Sequence, residues 1–192
     1  MKPAVHDYTK AVLDWRPFIT PVRLDEATPE QLQAMKITPA NKKVSDYVLV
    51  LAHDPESLLH RSPLFNGIMY GKDGLDRPGR ELGAIGASIV NRCIYCLAVH
   101  ARHYEQTGGT AGVVDTIFQQ ETSARLPEKE QAIYDFSVAL SAFPPAATDE
   151  DIARLRAVGL NELEILDLIL SVSIFGWANR LMHTLGEPIP AA

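Results

Sequence analysis

The stretch that decides the fold of this protein is RELGAIGASIVNRCIYCLAVHARHYEQ, residues 80–106. Small and aliphatic residues recur in it at helical spacing, and Gly108 and Gly109 follow it as a stop signal. The chain has only two cysteines, Cys93 and Cys96, and both lie in this stretch. Residues three apart on a helix share a face, with Cα atoms roughly 5 Å apart, within the range that a disulfide accepts. We therefore predict that the pair interconverts between dithiol and disulfide.

The position of the pair favours reactive thiols. Asn91 is predicted to cap a new helix, which places Cys93 and Cys96 in its first turns. Unpaired N–H groups and the positive end of the helix dipole stabilise a thiolate there. His100 lies four residues beyond Cys96 on the same helical face. It can accept the proton of Cys96 or stabilise its thiolate.

Glu81 is a candidate partner, but it lies twelve residues before Cys93. On one straight helix that separation is about 18 Å, which is too far for proton transfer. Glu81 joins the site only if the chain reverses between the two residues, and the break predicted at Asn91 permits this. The alternative is an acid near a helix N-terminus, where the dipole favours it.

Start and stop signals along the chain predict about seven to nine helices. Helix starts are indicated at Thr28, Asn41, Asp54, Ala111, Leu126, Thr148 and Asn161. Residues 1–27 are predicted to be irregular, and residues 71–79 are predicted to form a loop. No window shows the sustained alternation of a strand next to a hairpin turn. We therefore predict an all-α fold, with residues 1–192 forming a single helical domain.

Composition limits the class of partner. The net charge of the 192 residues is −6, which argues against nucleic acid or an anionic membrane as the main partner, because both require a basic face. The longest apolar region, residues 165–177, is interrupted by polar residues, so no membrane span is predicted. The N-terminus lacks an apolar signal core, and we expect a cytoplasmic protein. Two cysteines so close together in a cytosolic chain are typical of redox or metal chemistry.

Four of these residues are spaced as in a known family. The spacing resembles the motif of the AhpD-like alkylhydroperoxidase group in the carboxymuconolactone decarboxylase superfamily: Glu81, Cys93, Cys96 and His100. Asn91 before the pair and Tyr95 within it resemble the peroxidase-related branch of that group, as do residues 51–59 and 175–186. The resemblance covers residues 45–187.

The resemblance implies an AhpD-like helical bundle that forms homo-oligomers, trimers or hexamers, and reduces small peroxides with electrons from an external dithiol. Carried over by position, Cys96 is the peroxidatic cysteine and Cys93 is the resolving cysteine, while His100 and Glu81 form a proton relay. It implies no cofactor and no metal. One departure is Tyr95, which stands where well-studied members have a histidine. Its phenol is a poor base at neutral pH but can donate a hydrogen bond.

Other interpretations of the same residues stay open. Buried cysteines can be ordinary small core residues. Structural zinc is disfavoured, because Cys93, Cys96, His100 and His103 lie on one helix and cannot readily surround a tetrahedral ion. A carboxymuconolactone decarboxylase-like lyase would use acid–base residues and no cysteine pair. A non-enzymatic redox-sensing protein would use the pair without turnover. Tyr95 and His103 are possible supporting residues of the site.

Overall fold

The computed structural model describes residues 2–36 and 44–191, and within these ranges the chain forms nine α-helices, a 3₁₀ turn and two short strands. In chain order they are β1 (Leu13–Pro17), α1 (Pro29–Ala34), α2 (Asp46–Leu51), α3 (Pro55–Tyr70), α4 (Arg77–Val90), α5 (Ile94–Gln106), α6 (Val113–Gln120), the 3₁₀ turn (Glu121–Ser123), α7 (Glu128–Ser141), α8 (Asp149–Ala157), α9 (Glu162–Leu185) and β2 (Gly186–Pro190). The predicted all-α fold is confirmed. The helix start predicted at Asn41 lies outside the described residues.

Most helix starts follow their predicted caps. Thr148 and Asn161 form capping boxes, in which the cap side chain accepts a backbone N–H and a side chain three residues later returns the bond. The helix α4 begins earlier than predicted, however. Asp76 caps it by accepting from the backbone N–H of Gly79, and Pro78 fits its first turn. The last residues of the predicted 71–79 loop are therefore helical.

The helix α4 lies at the centre of the bundle and packs against α5, α7 and α9. Every residue from Gly79 to Ile89 is buried. Glycines allow the neighbouring helices to approach closely. A Cβ at Gly86 would lie 2.5 Å from the Cβ of Ser137, and a Cβ at Gly83 would meet a side chain of α9 at 2.9 Å. Residues with no side chain at these two positions therefore set the spacing between α4 and its neighbours.

A buried arginine fixes the start of α4. The side chain of Arg80 is only 2% exposed, and its guanidinium donates to the carbonyls of Leu75 and Asp73, each at 2.7 Å, and to that of Ile68. It also pairs with the carboxylate of Asp167 on α9, at 2.7 Å. Because each guanidinium nitrogen has an acceptor and Asp167 supplies a negative charge, the buried charge is compensated and links the α3–α4 loop to α9.

The sequence predicts an irregular segment over residues 1–27, but this segment contains a strand. The strand β1 pairs antiparallel with β2, with Leu13 opposite Pro190 and Pro17 opposite Gly186. Leu13 and Trp15 point into the protein, and the indole N–H of Trp15 donates to the Met182 carbonyl at 3.3 Å. A strand of five residues with two inward side chains is too short to show strand periodicity in the sequence. Its partner strand also lies at the other end of the chain, so no hairpin turn indicates it.

The C-terminal helix α9 is, among the described residues, the one helix long and apolar enough to cross a membrane by length and composition alone. Its most apolar window has a mean hydropathy of 1.4, and half of that window is buried inside the protein. A packed core helix meets the same criterion. The helix packs against α3, α4 and α7, so part of its apolar surface belongs to the core.

The pair of Arg80 and Asp167 gives a test of the packing around α4. Replacing Asp167 with asparagine (Asp167→Asn) is expected to lower the free energy of unfolding by about 3 kcal/mol, because Arg80 stays buried without a carboxylate. Urea denaturation measures the change. The control is Glu162→Gln, which removes the exposed partner of Arg156 and is expected to leave the unfolding midpoint nearly unchanged. Equal effects of the two substitutions would contradict this role of the buried pair.

Candidate active site

The chain reverses between α4 and α5, as the sequence predicts, but the residue roles at the turn differ. Asn91 has helical angles (φ −84°, ψ −1°) and is the C-cap of α4, whereas Cys93 is the N-cap of α5. The prediction that Asn91 caps the second helix is therefore wrong, because an N-cap residue has extended backbone. The turn itself is made at Arg92, which has a left-handed φ of 51°. The side-chain amide of Asn91 instead donates a hydrogen bond to the carbonyl of Ala87 at 2.8 Å. The backbone carbonyl of Asn91 is hydrogen-bonded to Nε2 of His183 at 2.8 Å.

The two cysteines lie side by side. Their sulfur atoms are 2.9 Å apart, both thiols are free, and both side chains are buried. A hydrogen bond from the thiol of Cys96 lowers the pKa of Cys93 against the opposing effect of burial, and a backbone hydrogen bond lowers it further. The same hydrogen bond, together with burial, raises the pKa of Cys96 well above its ordinary value. The pair therefore loses one proton readily and the second with difficulty.

The expectation that Cys96 is the more reactive thiol stays a prediction, because the two thiols share a proton and titrate as a pair. Cys93 lies at the N-terminus of α5, where the helix dipole favours a thiolate. Cys96, and not Cys93, lines the cavity described below. Because the sulfurs are in hydrogen-bond contact, a proton can pass from Cys96 to Cys93 and leave the thiolate at the cavity wall.

Asn179 on α9 is a further residue of the site, and the sequence motif does not contain it. Its side chain is completely buried and lies 3.1 Å from the hydroxyl of Ser88 on α4. Hydrogen bonds from Asn179 lower the pKa of both Cys93 and Cys96. In the sequence it is indicated only by its place in residues 175–186, which resemble the peroxidase-related branch.

Glu81 reaches the site because the chain reverses. Its completely buried carboxylate lies 2.5 Å from Nδ1 of His100, and its other oxygen accepts from the guanidinium of Arg77. Burial by itself raises the pKa of Glu81. The hydrogen bond to His100 and the positive charges of His100 and Arg77 outweigh that effect, so the pKa lies below its ordinary value of 4.5. A charged carboxylate that holds Nδ1 leaves Nε2 of His100 as the ring nitrogen for proton exchange.

His103 lies at the edge of this group. Its Nδ1 is 3.7 Å from the carboxylate of Glu81 and is buried with no hydrogen-bond partner among the described residues. Burial lowers the pKa of His103, which favours the neutral ring. His103 is therefore close to the relay without sharing its short hydrogen bond.

The described residues contain one set of side chains with metal-ligand geometry: Glu81, His100 and His103, whose ligand atoms lie within 4.8 Å of one another. The two cysteines are not in this set. Arg77 already neutralises Glu81, and its positive charge opposes a cation at the same oxygen. The arrangement therefore fits a hydrogen-bonded relay better than a metal centre.

Cys96 and His100 open onto a common cavity of about 270 Å³. Helices α2, α3, α5 and α9 supply its walls, which include Tyr47, Arg61, Phe65, Tyr95, Phe175 and Met182. Tyr95 thus lines the cavity, and burial raises the pKa of its phenol, which keeps it a neutral hydrogen-bond donor. The arrangement brings a two-thiol centre and an acid–base pair to one largely apolar pocket.

The sharing of a proton between the cysteines predicts a specific titration. Absorbance at 240 nm is expected to show one thiolate forming below pH 9 and a second forming well above it. In Cys96→Ala the pKa of Cys93 is expected to rise, because the donated hydrogen bond is lost and burial remains. Cys96→Ser keeps a donor and is the matched control, with a pKa closer to that of the wild type. An unchanged Cys93 pKa in Cys96→Ala would exclude the hydrogen bond as the cause.

The buried carboxylate predicts a pH-dependent contribution to stability. A folded-state pKa below 4.5 means that Glu81 stabilises the fold above that pH, and that this contribution is lost as the pH falls through the folded-state pKa. Glu81→Gln is expected to lower the free energy of unfolding at pH 7 by about 2 kcal/mol. Denaturation at pH 7 and pH 3 should show the difference from wild type shrinking at pH 3. The exposed Glu128→Gln serves as control, and a constant difference at both pH values would contradict an ionised Glu81.

The sequence matches a known family in the region of the site. Residues 55–139 match the carboxymuconolactone decarboxylase family. This segment contains Glu81, both cysteines and His100. No curated protein matches the chain significantly by sequence.

Solved structures share the fold at low sequence identity. A peroxidase-related protein from Ralstonia eutropha, described as an alkylhydroperoxidase AhpD core, is 21% identical with a TM-score of 0.72, covering 91% of this chain and 90% of that chain. A peroxidase-related protein from a Silicibacter species is also 21% identical, with a TM-score of 0.71 over 90% of this chain and 94% of its own. A cysteine-to-alanine variant of the debrominase Bmp8, in complex with 2,3,4-tribromopyrrole, is 19% identical with a TM-score of 0.66, over 88% and 89% of the two chains.

At these identities the structural likeness establishes the fold alone. The family match and the fold agree with the resemblance seen in the sequence. Residues 55–139 are thus similar to the carboxymuconolactone decarboxylase family, and the chain is built as an AhpD-like helical bundle.

Proposed function

We propose that the protein is a thiol-dependent peroxidase that reduces hydrogen peroxide or alkyl hydroperoxides through a dithiol–disulfide cycle of Cys93 and Cys96. The AhpD-like fold and the family match support a peroxidase-related or antioxidant role in general. The observation that carries the specific proposal is the contact of the two sulfurs, 2.9 Å apart, at the wall of the cavity that also contains His100.

The first step is attack of the Cys96 thiolate on the terminal oxygen of the hydroperoxide. The O–O bond breaks, the sulfur is oxidised to sulfenic acid, and the alkoxide or hydroxide leaves. The leaving oxygen takes a proton and departs as alcohol or water. His100 is the group in the cavity wall that can supply this proton, through Nε2, while Glu81 stabilises the imidazolium before transfer.

The second step forms the disulfide between Cys93 and Cys96. The Cys93 thiolate attacks the sulfenic sulfur of Cys96, an S–S bond forms, and hydroxide leaves as water after protonation. The low pKa of Cys93 supports this role, because a thiolate is the attacking species. An external dithiol then reduces the disulfide with two electrons and returns both thiols.

The proposal includes a homo-oligomer, a trimer or hexamer, acting in the cytoplasm. Support for subunit contact comes from apolar side chains exposed on α3 and α9, including Leu64 (60%), Leu163 (50%) and Leu166 (50%). Exposed apolar surface shared by two neighbouring helices is typical of protein contact sites.

A second candidate function is a lactone decarboxylase-like lyase, and the buried pair of Glu81 and His100 favours it because such chemistry needs an acid and a base. A non-enzymatic redox sensor is the third. Turnover of a carboxymuconolactone by a Cys93→Ser, Cys96→Ser double variant would support the lyase. A reversible disulfide without peroxide turnover would support the sensor.

Single-turnover experiments on the two cysteines test the peroxidase proposal. Wild-type protein mixed with hydrogen peroxide or cumene hydroperoxide is expected to form the disulfide between Cys93 and Cys96. Cys93→Ser is expected to stop at a Cys96 sulfenic acid, which dimedone traps for mass spectrometry. Cys96→Ser is expected to consume peroxide only at the background rate. Rapid sulfenic acid formation at Cys93 in Cys96→Ser would instead identify Cys93 as the attacking residue.

The relay is tested by comparing two histidines that both approach Glu81. His100→Gln is expected to lower kcat/KM for the peroxide by about 100-fold, the usual contribution of a positioned acid or base. His103→Gln is the matched control and is expected to have little effect, because its Nδ1 is 3.7 Å from the carboxylate and makes no hydrogen bond. Stopped-flow peroxide consumption with a dithiol in excess provides the rates. Similar losses in the two variants would contradict the assignment of His100.

A further inference from the structure

The cavity wall contains two polar groups that the proposed reaction does not use. Tyr47 on α2 and Arg61 on α3 both line the cavity that holds Cys96 and His100. The phenol oxygen of Tyr47 and Nε of Arg61 are buried, and neither makes a hydrogen bond of good geometry within the described residues, while the guanidinium of Arg61 is close enough to the phenol of Tyr47 to act on its pKa. Buried donors without partners are costly and rare in folded proteins, so they indicate a missing partner.

The guanidinium of Arg61 lies close to two aromatic rings. Its central carbon lies 4.4 Å from the ring centroid of Phe65 and 5.8 Å from that of Tyr47. Stacking of this kind uses the flat face of the guanidinium, while the N–H groups in its plane remain able to bind an anion. Within the described ranges, no carboxylate lies within 4.0 Å of Arg61.

Nearby acidic residues do not take the place of such an anion. Asp54 and Glu56 lie with Arg61 along an outer groove and do not line the cavity. Asp54 is occupied at the start of α3, where it accepts from the backbone N–H of Ser57 at 3.1 Å and from its hydroxyl at 2.6 Å. The charge of Arg61 on the cavity side is therefore unpaired within the described residues.

Tyr47 adds a second hydrogen-bond donor beside Arg61. Burial raises its pKa to about 12, against a smaller opposing effect of Arg61, so the phenol is a neutral donor at physiological pH. One wall of the cavity therefore carries two hydrogen-bond donors, Tyr47 and Arg61, and no carboxylate that accepts from them among the described residues. Oxygens of a carboxylate accept bonds from both kinds of donor.

The size and the remaining lining of the cavity indicate an organic ligand. An engineered apolar cavity of about 150 Å³ in another protein holds benzene. The cavity here, at about 270 Å³, has room for an aromatic ring with substituents. Phe65, Val99 and Phe175 supply apolar surface around it. Hydrogen peroxide alone would leave both the space and the two donors unused.

We propose that Arg61 and Tyr47 form a carboxylate-binding subsite, and that the preferred substrate is an organic hydroperoxide that carries a carboxylate on an apolar body. The apolar body fills the cavity, the carboxylate bonds Arg61 and Tyr47, and the hydroperoxide reaches Cys96. The inference rests on the proposed peroxidase function for the reactive group. The carboxylate subsite itself depends only on the wall of the cavity.

Binding of unreactive ligands tests the subsite without any turnover. Isothermal titration of the reduced full-length protein compares 4-isopropylbenzoate with the neutral 4-isopropylbenzamide. The wild type is expected to bind the carboxylate at least about tenfold more tightly, as one charge-assisted hydrogen bond provides. Arg61→Gln is expected to abolish this preference, and Tyr47→Phe to reduce it. Arg156→Gln, at an exposed arginine outside the cavity, is the control and is expected to keep it.

A second measurement connects the subsite with the reaction. The ratio of kcat/KM for the para-carboxylate of cumene hydroperoxide to that for cumene hydroperoxide is expected to be about ten in wild type and near one in Arg61→Gln. Arg61→Lys keeps the charge but loses the planar fork, and should give an intermediate ratio. If Arg61→Gln does not fold, the wild-type ratios and Arg61→Lys still decide the question.

The outcomes separate the two proposals. Equal affinity of wild type for the carboxylate and the amide would overturn the subsite, even if peroxide were consumed. A strong carboxylate preference without any peroxide turnover would support the subsite and overturn the peroxidase function. A preference that survives in Arg61→Gln would also overturn the inference, because the anion would then be bound elsewhere.

Discussion

The buried carboxylate of Glu81 is the constraint on which the rest of the site depends. A completely buried charge must be compensated, and here Arg77 on the same helix and His100 on the next one do so. Satisfying it from His100 requires α5 to lie alongside α4, which in turn requires a sharp reversal at Arg92. That reversal leaves Cys93 as the N-cap residue of α5. The position of the thiol pair at a helix start is thus a consequence of how one carboxylate is paired.

The thiol pair is controlled by groups from three helices. Within α5 the two sulfurs share a proton, and α9 contributes Asn179, whose hydrogen bonds lower the pKa of both thiols. The helix α4 holds Asn179 in place through Ser88. The two cysteines differ in position: Cys93 lies at the N-terminus of α5, and Cys96 faces the cavity. Because the two sulfurs are 2.9 Å apart, a proton can pass between them and leave the negative charge on the sulfur that meets an electrophile.

Local sequence signals predicted much of this arrangement, and non-local packing accounts for what they missed. Helical periodicity and caps predicted the bundle, and the impossible 18 Å separation of Glu81 from Cys93 on a straight helix predicted the reversal. The predicted role of Asn91 as an N-cap is wrong, because asparagine suits either end of a helix and only the backbone angles show which end it occupies. The strand around Trp15 and the donors of Tyr47 and Arg61 depend on partners far along the chain, which no local pattern encodes.

The division between reactive centre and cavity wall explains why a shared fold does not fix a substrate. The thiol pair, His100 and Glu81 all come from α4 and α5, and a thiolate supplies electrons to any electrophile that reaches it. What reaches it is decided by α2, α3 and α9, which build the wall containing Tyr47, Arg61 and Phe175. Solved structures with this fold include both peroxidase-related proteins and a debrominase. Under the two proposals made above, selectivity in this chain resides in side chains outside the two-helix centre, where the guanidinium of Arg61 changes which molecules the proposed thiol chemistry can act upon.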